Sequence, residues 1–245
     1  MNRVRILGIG VDAVTMAEAI DWVAAAIAEE TPRQVATVNP EFVMRARRDA
    51  AFREVLAHAD LCVPDGYGVV WAARRLGHPL PERIAGVDFV QALARRGAKA
   101  GWRFFLLGAA PGVAEAAAGA LVAEAPGLQV VGCLAGSPAP SADAEVTAAI
   151  RAVSPDVVLV AYGAPNQDLW IARNLHATKA RMAIGVGGAF DFLSGRRRRA
   201  PRWMREHGLE WLHRLSREPW RWRRMMALPR FAFAVVTQRA AADEI

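Results

Sequence analysis

The chain has 245 residues, 53% of them hydrophobic, which is enough to bury one large core or two small ones. No apolar run reaches the roughly 18 residues that cross a bilayer, and the opening MNRVRILGIGVDAV lacks the long apolar stretch of a signal peptide, so a globular cytoplasmic protein is expected. The net charge of +7 is concentrated after Gly195, where twelve arginines up to Arg230 face only Glu206, Glu210 and Glu218.

In chain order, the first motif is LGIGVDA, Leu7 to Ala13, a match to G-x-G-x-x-A after a short apolar run. A dinucleotide site would also need an acid closing the next strand about 20 residues on, and that strand ends in VNPE, with Glu41 behind Asn39 and Pro40. The fit to a nicotinamide cofactor is therefore poor. From about residue 33 to 190, continuous apolar runs alternate with Ala-rich segments of helical spacing. RQVATVN, DLCVP, WRFFLLG, LQVVGC, PDVVLVAYG and RMAIGVGG read as strands covered on both faces. GVDFVQALARRGAKA, PGVAEAAAGALVAEAPG and ADAEVTAAIRAVSPD read as the helices between them. This alternation predicts an α/β fold, a Rossmann-like, mostly parallel sheet covered by helices, as a catalytic core over residues 1–194. A helical, Arg- and Trp-rich basic appendage is expected over 195–245. Cys62 and Cys133, far apart and without metal-ligand spacing, read as small buried hydrophobes.

Ligands of such sheets bind beyond the carboxyl ends of the strands. That selects Asn39, Asp65, Gly108, the segment from Gly163 to Gln167, and Gly187 to Asp191. In CVPDGYGVVW, Asp65 is either a carboxylate within reach of a ligand or the N-cap of the next helix. TVNPEF adds Thr37 and Asn39 at a second strand end, and PERIAGVDF adds Arg83; these groups can converge on one crevice. LLGAAPGVAEAAAGAL offers a strand, a turn and a helix N-terminus suited to phosphate. AYGAPNQDLWI and IGVGGAFDFLSG place Gly163, Gly187 and Gly188 where backbone can approach a nucleotide, beside Gln167 and Asp191, the latter also suited to capping a helix or pairing with an arginine. There is no D-x-D, P-loop, H-E-x-x-H or G-x-S-x-G, and the histidines are scattered. A departing diphosphate would thus be stabilised by arginine or backbone dipoles and not by a metal.

In the appendage, Met204, Gly208, Trp211, Leu212 and Leu215 fall on one helical face, with Arg205, Arg214 and Arg217 elsewhere around the turn, and Trp220 to Phe233 repeats the mixture. Such a segment is a basic helix packed on the core, or lies in the interface of an anionic membrane. Charge alone would also suit nucleic acid, but no RNP, KH or zinc signature is present, and no nucleic-acid partner is expected.

Taken together, TVNPE, PDGYGVVW, ERIAGVDF, LLGAAPGVAE, GAPNQDLWI, GVGGAFDFLSG and RAPRWMREHGLEWLHRLSREPWRWRR, spanning about residues 35 to 224, resemble the WecG/TagA/CpsF family, glycosyltransferase family 26. The resemblance implies an inverting enzyme at the cytoplasmic face of a bacterial membrane. It would move a sugar such as N-acetylmannosamine from UDP onto a polyprenyl-diphosphate-linked acceptor sugar, in cell-surface polysaccharide or teichoic acid-type biosynthesis, without metal or cofactor. It makes Asp65 the general base, with Thr37, Asn39, Arg83 and Gln167 lining the sugar and acceptor crevice. Gly108, Gly163, Gly187, Gly188 and Asp191 would border the uridine diphosphate, and Arg214, Arg221 and Arg224 would stabilise diphosphate. One departure stands out: NQD replaces the KQE of many relatives. With Asn166 and Asp168 there, glucose or N-acetylmannosaminuronic acid remains open as donor sugar, as does assembly into a homo-oligomer.

Overall fold

The computed structural model describes residues 2–242, except for the side chains of Glu206 and Arg221 and those from 239 onward. The chain opens with an antiparallel hairpin, β1 (Arg3–Ile6) and β2 (Ile9–Asp12). Leu7 and Gly8 both take positive φ, 50° and 87°, as a two-residue hairpin turn requires. LGIGVDA therefore makes a strand-to-strand turn, not the strand-to-helix turn of a dinucleotide fingerprint. Buried Asp12 fastens the hairpin to the main sheet, accepting two hydrogen bonds from Arg3 at 2.9 Å and one from the Cys62 amide at 2.7 Å. Helix α1 (Met16–Ala28) then starts on a capping box between Thr15 and Glu18.

The remainder of the core runs β3 (Arg33–Val38), α2 (Pro40–Ala46), α3 (Ala50–His58), β4 (Leu61–Pro64), α4 (Tyr67–Arg75), α5 (Gly86–Ala100), β5 (Arg103–Gly108), α6 (Val113–Glu124), β6 (Gln129–Leu134), α7 (Asp143–Ala152), β7 (Val157–Ala161), α8 (Asn166–Thr178), β8 (Met182–Gly185) and α9 (Ala189–Leu193). Its six strands form one parallel sheet in the order β4-β3-β8-β7-β5-β6. This is the expected α/β, Rossmann-like architecture, and each of the six predicted strands is present. The central strands are apolar throughout because both faces are covered. On one face Val35, Leu106 and Ile184 pack with Val23, Phe89, Leu93 and Leu121 of α1, α5 and α6. On the other, Phe105 and Val158 meet Trp170 and Ile171 of α8, while Ala36 and Val38 meet Phe42, Phe52 and Val69 beneath the hairpin.

After Gly195 come α10 (Arg202–Glu206), α11 (Glu210–Arg217), α12 (Trp222–Met225) and α13 (Ala227–Ala242). The single helical face expected through Gly208 is interrupted. Gly208 takes φ 72°, and a β-carbon there would stand 3.0 Å from the Tyr67 ring, so the chain turns tightly against that ring between α10 and α11. Helix α13 returns to the core, burying Phe231 and Val235 in the cluster that holds Phe42 and Val69.

The ends of β7 and β8 are joined from below by α8. Gln167 is buried, and its Oε1 accepts the backbone N–H groups of Gly163 at 3.1 Å and Gly187 at 2.9 Å. Its Nε2 and the Oδ1 of Asp168 both lie over Gly185, where an added β-carbon would sit 2.6 and 2.8 Å from them. Residue 185 is therefore glycine for lack of room. Burial pushes the Asp168 carboxyl up to about 7, with the Gln167 side chain opposing the shift. An unfolded Asp titrates near ~3.9, so between roughly pH 4 and 7 the folded chain holds a proton that the unfolded chain has released, and stability is lost as pH rises through that window. In thermal unfolding from pH 4.5 to 8, the Tm of Asp168→Asn should gain on the parent as pH increases. Parallel curves would show that the ionised carboxyl costs the fold nothing.

Candidate active site

The carboxyl ends of β3, β4 and β8 open into a cleft of ≈ 220 Å³, walled on its outer side by α11, α12 and the start of α13. Asp65 stands at its base. Its backbone N–H continues the β3–β4 ladder by donating to Val38 O at 2.8 Å. The N-cap of α4 is Gly66, at φ 94°, and no side chain caps that helix. The capping alternative for Asp65 is thus not realised on α4, and Asp65 lines the cleft with its Oδ2 beside Gly86, where α5 begins. Burial is the largest influence on it and Glu210 the next; together they push Asp65 up to about 6 against the pull of Arg83 and Arg214.

Guanidinium groups surround this carboxylate. Arg83 lies 4.7 Å over the Tyr67 ring, and its Nη1 is 3.6 Å from Glu210 Oε2. Arg214 reaches in from α11, 5.0 Å over the Phe192 ring and against Gly188. Arg224 forks onto Glu41 at 2.6 and 3.0 Å. Arg199 forks onto Asp88 of α5 at 2.5 and 3.1 Å. Among the described residues no three or more His, Cys, Asp or Glu side chains stand together as metal ligands. Glu41 and Glu210 are matched with arginines instead.

Of the residues singled out in the sequence, the structure gathers Asn39, Asp65, Arg83, Gly188, Arg214 and Arg224 around the one cleft. Asn39 also caps α2, accepting the Phe42 amide at 3.0 Å. Thr37 is buried below, its hydroxyl donating to Gly185 O at 2.9 Å and stitching β3 to β8. Gln167, Gly163 and Gly187 do not line the cleft; Gln167 ties the two glycine amides together behind it. Gly108 and Gly163, at φ 101° and 77°, close β5 and follow β7. There the chain leaves β5 outward to β6 but leaves β7 back toward β8, which makes these adjacent strand ends a topological switch point. Asp191 lies outside the cleft, paired with Arg197 at 3.4 Å. The side chain of Arg221 lies outside the described residues.

Sequence reasoning passed over Glu210, Tyr67 and Arg199, all of which line the cleft. Glu210 had a signal: it precedes Arg214 by four residues, one helical turn on the same face. Arg199 was hidden in a run of four arginines that carries no periodicity.

The outer surface of the appendage is aromatic. Trp203, Trp220, Trp222 and Phe233 are 57%, 73%, 56% and 72% exposed. Among the described residues no helix is long and apolar enough to cross a membrane.

The sequence profile of the glycosyl transferase WecG/TagA/CpsF family matches residues 4–244. The chain is 36% identical over 207 residues to an N-acetylglucosaminyldiphosphoundecaprenol N-acetyl-beta-D-mannosaminyltransferase of Bacillus spizizenii, covering 84% of this chain and 80% of that one. The protein of the same name from Bacillus subtilis is 36% identical over 205 residues, with 83% and 79% covered. That from Staphylococcus aureus is 30% identical over 238 residues, with 95% and 92% covered. The family match runs through the parallel sheet, the Asp65 cleft and the basic helices that close it, and the chain belongs to the WecG/TagA/CpsF family of glycosyl transferases.

Proposed function

We propose that this protein is an inverting hexosyltransferase that moves N-acetylmannosamine from UDP onto N-acetylglucosamine carried by a polyprenyl diphosphate. The observation that carries the reading is the setting of Asp65: a carboxylate with a raised pKa that does not cap α4, the helix it precedes, in one cleft with Arg83, Arg214 and Arg224. Asp65 takes the proton of the acceptor hydroxyl as that oxygen attacks the anomeric carbon. The bond from that carbon to the UDP oxygen breaks on the opposite face, and the electron pair leaves with the diphosphate. Negative charge thus grows on the diphosphate, which Arg214 and Arg224 stabilise in a partly desolvated site. Guanidinium suits this task, since its planar fork matches phosphate oxygens. The nucleotide end lies across the switch point at Gly108 and Gly163, where backbone can approach it.

The donor follows the named relatives. The NQD departure does not redirect it through Asp168, because that carboxyl is buried over Gly185 and does not line the cleft. Replacing the base should lower turnover by about 10² to 10⁴-fold in Asp65→Asn while the Tm stays near the parent value, measured as UDP release from a UDP-sugar with lipid-linked acceptor. The same assay should run unchanged in EDTA. Near-normal turnover of the variant removes Asp65 as base, and loss in EDTA restored by a divalent ion removes the metal-free mechanism.

A base must be ionised to act, and the Asp65 carboxyl sits at about 6. The kcat/KM profile should therefore be flat above roughly pH 7 and fall about tenfold per unit below about pH 6. A profile flat down to pH 4.5 would contradict the assignment.

A lipid-linked acceptor calls for an enzyme that works at a membrane, and the exposed Trp and Phe of the appendage, interleaved with arginine, support that reading. Exposed tryptophans can be changed without disturbing the core. Trp203, Trp220 and Trp222 replaced together by Ser should leave Tm unchanged and abolish co-sedimentation with vesicles containing anionic lipid. Undiminished binding would mean that another surface meets the bilayer.

A further inference from the structure

The cleft holds a second acidic group that the reaction as described does not use. Glu210, at the first position of α11, faces Asp65 closely enough to oppose its ionisation, yet it is only partly buried and pairs with Arg83 at 3.6 Å. Arg83 is thus held from two sides, by the Tyr67 ring at 4.7 Å and by Glu210, and among the described residues no ion pair within 4.0 Å joins it to Asp65. We propose that Glu210 is a positioning residue for the base: it draws the Arg83 guanidinium onto the Tyr67 side of the cleft and keeps it from closing an ion pair on Asp65.

The need for such a group follows from elementary electrostatics. An arginine is always charged, and one brought within about 4 to 6 Å of a carboxylate lowers its pKa by roughly 1 to 3 units. A forked pair would also occupy the oxygens that must receive the acceptor's proton. Asp65 and Glu210 compete for the same cation, and the arm that carries Glu210 decides the outcome. That arm reaches the cleft through the turn at Gly208, which fits only because no β-carbon meets Tyr67. Tyr67 therefore supports Arg83 and seats the helix that supplies its partner. The other charged groups that face Asp65 are Arg214 on the same helix and Arg199 from the segment before α10. Arg199 is engaged by Asp88, and Arg224, which lines the same cleft, is engaged by Glu41. Arg83 is the cation that pairs directly with Glu210, at 3.6 Å, and so the one whose position Glu210 controls.

The inference rests on Asp65 being the base, so Asp65→Asn is measured beside the test. Glu210→Gln removes the competing carboxylate and releases Arg83. The acid limb of kcat/KM should then move about one unit toward lower pH, and the plateau near pH 8 should fall about tenfold as the base weakens. A role confined to holding α11 in place would lower the plateau and leave the limb where it was, and that result overturns the proposal. Should Glu210→Gln not fold, as judged by its Tm and circular dichroism, Glu210→Asp serves. Its shorter side chain draws Arg83 less well, so the limb moves the same way by a smaller amount, and an unmoved limb overturns the proposal equally. The two failures are distinguishable: full turnover in Asp65→Asn defeats the base assignment, whereas an inactive Asp65→Asn with an unmoved limb at position 210 defeats this inference alone.

Discussion

Arginine–carboxylate pairs join the basic run to the carboxyl edge of the sheet around the cleft. Arg199 meets Asp88, Arg224 meets Glu41 and Arg83 meets Glu210, each pair linking the core to the segment after Gly195. Their strength as anchors is modest. Partly exposed ion pairs contribute about 0 to 1 kcal/mol each, since water already solvates both partners and holding two long side chains costs entropy. Burying a Phe or Val side chain contributes about 1.5 to 3 kcal/mol. The apolar contacts of Phe231 and Val235 under the hairpin therefore exceed the pairs as the attachment of the appendage. What the pairs supply is direction: the forks of Arg199 on Asp88 and of Arg224 on Glu41 fix angle as well as distance, one before α11 in the chain and one after it.

The division of labour explains what could be read from the sequence. The inner strands were legible because a strand covered on both faces is largely apolar, and VVLVA or RFFLLG can hardly be anything else at that length; the half-buried edge strand β6 still shows an apolar run in QVVGCL. Helix α5 was legible from its periodicity and its Gly end. The hairpin at LGIGVDA was not, because glycines at a two-residue turn and glycines at a phosphate turn look alike until the second strand is seen to pair. The break at Gly208 was hidden for a related reason. Met204, Trp211, Leu212 and Leu215 keep helical spacing, and only the contact with Tyr67, distant in the chain, turns the glycine into a corner.

The site divides the same way. Residues at strand ends announced themselves, since the topology of an α/β sheet sends ligands there whatever the sequence. Asp65 and Asn39 were singled out by that rule, Arg83 by its place beside a glycine in PERIAGVDF, and the C-terminal arginines by resemblance. The groups that position these residues were mostly not found. Glu210 acts on Arg83 and Asp88 on Arg199, and Gln167, singled out as a cleft residue, instead holds two loop amides; such pairs are made by folding and carry no local pattern.

The pairs also change the meaning of the positive charge after Gly195. Read as a sum, it suggests a surface held to anionic lipid by Coulomb attraction at about 1 kcal/mol for each basic residue. Arg197, Arg199 and Arg224 instead spend their charge on Asp191, Glu218, Asp88 and Glu41, and Arg214 points inward over Phe192. The field at the outer surface is weaker than the count implies, and the exposed tryptophans and Phe233 carry correspondingly more of any attachment to lipid. The arginine-rich run is then partly an internal structure. Arg199, Arg214 and Arg224 line the cleft, Trp203, Trp220 and Trp222 face outward, and one short helix, α11, spans the two by carrying Glu210, Trp211 and Arg214 on the cleft side and Leu212 exposed.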